Sequence, residues 1–251
     1  MVNWLILSSL FGVLRSIPTA SAHYRFATLI APNVTTKNAV RQPVSWNPMV
    51  DLASNNMRCN INAGVAKEVV ELQAGTDLAF GLDNSIFHPG PGALYLGKVP
   101  ESESAATWDG SGQNWFKIKN WGGYPSNWNW VFPDILNVWQ VNGTIPLAVP
   151  SGEYLLRMEH IALNQGIGQK ETQYYVSCAQ VRIVGGGNGT PAPLVTIPGH
   201  FQPNDPGLQI DVFHPVLGTV YRVRFMVGCL ALLGSLKTFR RSQGQMSGRD
   251  S

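Results

Sequence analysis

The sequence predicts an all-β protein, an antiparallel β-sandwich with long loops and short helices. Three observations point there. The chain has 26 Gly and 17 Pro, which punctuate strands and interrupt helices. Only 13% of its residues are charged. Its β-branched and aromatic runs are short and separated by turn residues, not by helical repeats.

In chain order, Val69-Val70-Glu71-Leu72 is a strand candidate ending before Gly75, and Thr76 to Leu82 is another, closed by Asp83-Asn84. Ser102 to Ala106 is a helical candidate inside a connection. Tyr154 to His160 follows the Pro150-Ser151-Gly152 turn, and Gln173 to Val184 carries the strongest β character. Between Pro100 and Val149, Trp108, Trp115, Trp121, Trp128, Trp130 and Trp139 keep neither a two-residue nor a helical period. Trp115, beside Phe116 and Ile118, is a core candidate. The other rings either fill the core as well or include one or two exposed where a sugar ring stacks. The Gly-rich stretch from Gly185 to Pro191 has neither the strand-helix context nor the lysine of a phosphate loop.

The chain opens with an apolar run from Trp4 to Leu14, too short to span a bilayer, followed by Ala20-Ser21-Ala22. This is the pattern of a secretory signal over residues 1–22, with His23 as the new N-terminus and an extracellular destination. Secretion permits disulfides and gives meaning to three glycosylation sequons, at Asn33, Asn142 and Asn188. Residues 23–215 suffice for one domain with a substantial core. The formal charge of +3 is concentrated near the C-terminus, so the Trp-rich region lacks the basic groove that a nucleic acid requires. The mature body has no lipid-spanning segment and is expected to be a monomer without a membrane partner.

An N-terminal His23 brings its α-amine and imidazole to one metal ion as a chelate. A third nitrogen completes a nitrogen-rich site of the kind that favours Cu(II). His88, in Phe87-His88-Pro89-Gly90-Pro91-Gly92, is one candidate for it; His160, His200 and His214 are others.

The mature sequence resembles the fungal auxiliary activity family 9 lytic polysaccharide monooxygenases, formerly glycoside hydrolase family 61. The matching blocks run in order from His23 through Arg58-Cys59-Asn60, Ile86 to Pro91, Trp108 to Gly112 and Trp115 to Ile118. They continue through Pro150 to Arg157, Glu159 to Leu163, Gln173 to Gln180 and Asp205-Pro206-Gly207. The resemblance implies an immunoglobulin- or fibronectin-III-like sandwich and one copper ion held by His23 and His88, with Tyr175 at the axial position. It implies that Gln173 is a hydrogen-bonding partner of the oxygen cosubstrate and that Cys59 and Cys178 form a disulfide. The alternation of a strand agrees in placing Gln173 and Tyr175 on one side. The implied activity is oxidative cleavage of β-1,4-glucosidic bonds in cellulose or a related glucan at C1 or C4. It uses an external electron donor, small molecule or protein, and dioxygen or hydrogen peroxide. The alternative is a noncatalytic secreted copper- or polysaccharide-binding protein on the same scaffold.

Two departures stand out. Family members commonly place histidine where this chain has Asn164, and an amide cannot take up a proton near neutral pH. After Pro215 the family's ending is replaced by a tail over residues 216–251, in which Cys229 is left over and a disordered or misannotated segment is expected. His214 falls where relatives often have tyrosine.

Overall fold

The computed structural model describes residues 23–164 and 172–214; the signal segment, the tail and Cys229 lie outside the described residues. The strands, in order, are β1 (Phe26–Ala31), β2 (Val34–Thr36), β3 (Val40–Arg41), β4 (Val70–Gln73), β5 (Asp77–Leu82) and β6 (Gly92–Lys98). They continue with β7 (Trp115–Trp121), β8 (Tyr124–Pro125), β9 (Trp130–Val131), β10 (Gln140–Thr144), β11 (Gly152–Ala162) and β12 (Gln173–Val184). One sheet has the order β10-β5-β1-β2, and the other runs β3-β12-β11-β6-β7 with β4 parallel to β12; β8 and β9 form a hairpin. Among the described residues, helical structure is confined to two 3-10 turns, Asn55–Met57 and Pro206–Leu208. The all-β expectation holds, and the fold is an immunoglobulin/fibronectin-like β-sandwich.

Burial explains which strands keep an alternating pattern. β10 alternates exposed and buried residues, as an edge strand wet on one side does, whereas β6 and β11 are buried along almost their whole length and lose the alternation. Inner faces of both sheets feed one core, in which Phe26 meets Phe80 edge-on at 6.2 Å. Trp108, Trp115, Trp121 and Trp130 are buried in it, while Trp128 and Trp139 are exposed. Gly97 is required on β6 because the Trp115 ring occupies the space of a Cβ there, 2.8 Å from the ideal position.

Residues 102–106 form turns, not the expected helix. Ser104 bonds Thr107 through both its backbone N–H (3.0 Å) and its hydroxyl (3.1 Å), and such local bonds compete with helical ones. Cys59 and Cys178 are joined by a disulfide across 119 residues, tying the loop after the first 3-10 turn to β12.

The sandwich brings several strand ends to one pole. In register across the larger sheet, Tyr175 on β12 pairs with His160 on β11, His160 with Gly92 on β6, and Gly92 with Trp121 on β7. In the smaller sheet Phe26 pairs with Leu82, so the chain leading into β1 and the chain leaving β5 start beside each other.

Candidate metal centre

His23 lies just before β1 and His88 in the loop after β5, and their ring centroids are 6.4 Å apart. Tyr175 completes a triangle, 6.2 Å from His23 and 6.0 Å from His88. Local bonds explain this convergence. The Asn84 amide donates to the His23 carbonyl (3.4 Å), and the backbone of the His88 loop is clipped to the end of β11 by Leu163 N–H to Pro89 O (2.9 Å) and Ile161 N–H to Pro91 O (2.9 Å). Gly90 fits beneath that clip because a Cβ there would collide with the Ile161 carbonyl oxygen.

The pair passes a simple test of fit for a shared ion. Two metal–nitrogen bonds of about 2.0 Å each span about 4 Å, and the two half-rings fill the rest of the 6.4 Å. Among the described residues, no group of three His, Cys, Asp or Glu side chains could hold a metal. Two imidazoles therefore need a further strong donor that is not such a side chain, and an α-amine at His23 is chemically of that kind.

Behind Tyr175 lies a tyrosine that the sequence reading did not single out. The ring of Tyr24, buried, stacks on Tyr175 at 4.1 Å with 22° between the planes. Its hydroxyl is 2.6 Å from His160 Nδ1. Burial pushes the phenols of Tyr24 and Tyr175 well above the ordinary range, so both stay protonated, and a protonated phenol is a weak metal donor. Burial lowers His160 to about 3, making it a neutral acceptor for Tyr24. The Tyr175 hydroxyl donates to Gln173 Oε1 at 3.4 Å.

The other histidines are engaged elsewhere. His200 Nε2 is 3.1 Å from Glu159, which is buried and also paired with Arg157 at 2.6 Å. Burial pushes the Glu159 carboxyl up, but Arg157 and His200 overcome this and hold it at about 2. His214 is exposed and sits 3.1 Å from Asp211. Asn164 is partly buried, and its Oδ1 makes no hydrogen bond. Asn33, Asn142 and Asn188 are all exposed.

Trp46 is a further ring that the sequence did not single out, the candidate sugar platforms being the tryptophans between residues 100 and 149 and His214. Its ring is 48% exposed, with the Arg25 guanidinium 3.9 Å over one face and its indole N–H donating to Asp83 at 2.8 Å. Arg25 pairs with Asp83 at 2.7 Å. Arg25 is two residues from His23 in the chain, and Asp83 is next to Asn84, whose amide donates to the His23 carbonyl. The three residues come from separate loops, and no local motif links them.

A family model described as Auxiliary Activity family 9 (formerly GH61) matches residues 20–221. AA9 family lytic polysaccharide monooxygenase H of Malbranchea cinnamomea is 43% identical over 213 residues, covering 82% of this chain and 91% of the relative. AA9 family lytic polysaccharide monooxygenase C of Emericella nidulans is 40% identical over 207 residues, covering 79% and 88% respectively. Among solved structures, CvAA9A matches with a TM-score of 0.68 at 26% identity, covering 77% of this chain and 93% of that one. A cellulose-active polysaccharide monooxygenase from M. thermophila shares the fold, with a TM-score of 0.65 at 24% identity over 75% of this chain and 91% of that one. With the family model spanning most of the chain and relatives above 30% identity along nearly their whole length, this protein belongs to auxiliary activity family 9.

Proposed function

We propose that the chain is a secreted, copper-dependent monooxygenase that cleaves β-1,4-glucosidic bonds of cellulose or a related glucan at C1, C4 or both. Family membership implies a copper-dependent site. The observation that carries the assignment to these residues is the convergence of the His23, His88 and Tyr175 rings at about 6 Å from one another. In this reading the signal is removed after Ala22, and the freed His23 amine joins the two imidazoles as the third nitrogen. Copper, once bound and reduced by an external donor, supplies the activation of dioxygen or hydrogen peroxide.

The protein's own groups hold and orient. Tyr175 would face the ion held by His23 and His88 as a neutral phenol, and Tyr24 fixes the depth of that ring by stacking beneath it. The Gln173 amide, within reach of the Tyr175 hydroxyl, positions the oxygen cosubstrate by hydrogen bonding. Asn164 offers hydrogen bonds but no titratable proton. Trp46, covered by Arg25 on one face, offers the other to a pyranose ring.

The test begins with mass spectrometry of the secreted protein, expected to find His23 at the N-terminus. The Cu(II) EPR spectrum at one equivalent should then show a single axial species with about three nitrogen ligands. Incubation with cellulose and a reductant should release oligosaccharides oxidised at C1 or C4. Heterogeneous, weak copper binding by correctly processed protein would overturn the metal assignment. A well-formed copper site without oxidised products would leave a noncatalytic copper protein.

A further inference from the structure

Strand β12 serves a second depression on its other face. Alternation sends Gln173 and Tyr175 one way and Tyr174 the other. Reciprocal backbone bonds between Met49 and Tyr174, 2.9 and 2.8 Å, tie the segment beginning at Val50 to the edge of β12, where Val50 to Ala53 line the depression with Tyr174. The segment from Pro198 to Gln209 forms the opposing wall, and the groove between them encloses about 680 Å³. Sites for small molecules usually enclose about 300–1,000 Å³.

The lining selects the ligand chemistry. Asp51 is its one charged side chain among the described residues, and Oδ1 already accepts from the Ala53 N–H at 2.9 Å. Among the described residues an anion would find no Lys, Arg or His there, and one half-used carboxylate does not make a metal site. What remains is neutral hydrogen-bonding capacity: the exposed amides of Gln202 and Gln209 and the hydroxyl of Thr172, which is shared with the Tyr174 phenol. Gln209 donates to Pro203 O at 2.9 Å, leaving its Oε1 to accept. Phe201 adds a partly exposed ring held in place by His200, 4.2 Å away. His200 is itself held by the buried Glu159. An aromatic ring among amides and a hydroxyl suits a ligand that alternates C–H faces with hydroxyls.

We propose that this groove is a saccharide-binding site separate from the metal face, taking a short soluble β-glucan segment. The identity of the sugar rests on the glucan reading above; the groove itself does not.

The test is an NMR titration of the mature, isotope-labelled protein, with its copper kept as diamagnetic Cu(I) under anaerobic ascorbate, using cellotriose as the probe. Saturable shifts are expected at the side-chain amides of Gln202 and Gln209 and at the Ala53 backbone amide. In the Gln202→Ala/Gln209→Ala variant, both positions being exposed, the affinity read at Ala53 should fall at least about tenfold while shifts of the Trp46 indole persist. Shifts confined to Trp46 and the histidine pair, or none that saturate in the groove, would overturn the site. A parallel assay for oxidised products separates the two claims. Products with a silent groove sink the groove alone, and a responsive groove without products sinks the monooxygenase reading alone.

Discussion

At the scale of single residues, Tyr24 and Asn164 are the informative positions. Tyr24→Phe preserves the stack on Tyr175 but removes the donor to buried His160, whose Nδ1 is then left as an unsatisfied acceptor. The expected loss is about 1–3 kcal/mol of stability, read from denaturant unfolding. An unchanged midpoint would mean that another donor takes over. Asn164 holds a partly buried carbonyl oxygen with no hydrogen bond, at a position that relatives commonly fill with histidine. Asn164→His is expected to raise turnover on cellulose while copper affinity, measured by calorimetry, stays the same. Equal turnover would remove proton supply at this position as an explanation of rate. The candidacy of Asn164 was legible in the sequence because it interrupts a motif. That of Tyr24 was not, because adjacency to His23 says nothing about a ring on a strand 151 positions away, Tyr175.

At the scale of elements, the His88 loop depends on how closely it passes β11. Gly90→Ala would drive a methyl group into the Ile161 carbonyl oxygen and push the loop off its clip to Pro89 and Pro91. The prediction is weaker copper binding together with a lower melting temperature. Wild-type copper affinity in a destabilised variant would show that the turn supports the fold without setting the position of His88. Strands β4, β5, β11 and β12 were readable from β-branched runs bounded by turns, whereas β1, β6, β7 and β10 were not singled out. For β6 the reason is burial on both faces, which removes the alternation that marks a strand, whereas β10 keeps its alternation but carries Asn142-Gly143, a turn signal. The expected helix at 102–106 was lost to side-chain bonds of Ser104 and Thr107.

At the scale of the whole molecule, buried ionisable groups set the response to acid. Burial lowers His160 to about 3, against an ordinary imidazole near about 6.5, so the unfolded chain takes up this proton first. Stability from this group is complete above about pH 6.5 and drains away as the pH falls toward 3. Glu159, held at about 2 against an ordinary value near about 4.3, adds a loss of the same sign at lower pH. The melting temperature is therefore expected to fall steadily below about pH 6.5 and more steeply below about 4.3. A flat profile between pH 7 and 5 would mean that the unfolding reaction does not expose His160. His160→Gln should make the upper limb shallower, its remainder belonging to His200, which burial also lowers, and leave the lower limb in place.

The sequence alone determined the β class and the ordered motif series, because both are written in local pattern or in residue type at fixed spacing; His88 as the partner of His23 and the Cys59–Cys178 pairing came only through the family resemblance that this series carries. Tertiary structure decided what depends on crossing between loops and faces. It set Tyr24 under Tyr175, locked Trp46 between Arg25 and Asp83, sent His200 to Glu159 instead of to the histidine pair, and opened a groove on the far face of β12. Contacts of that kind join residues far apart in the chain, and no periodicity along one strand encodes which distant loop will pack against it.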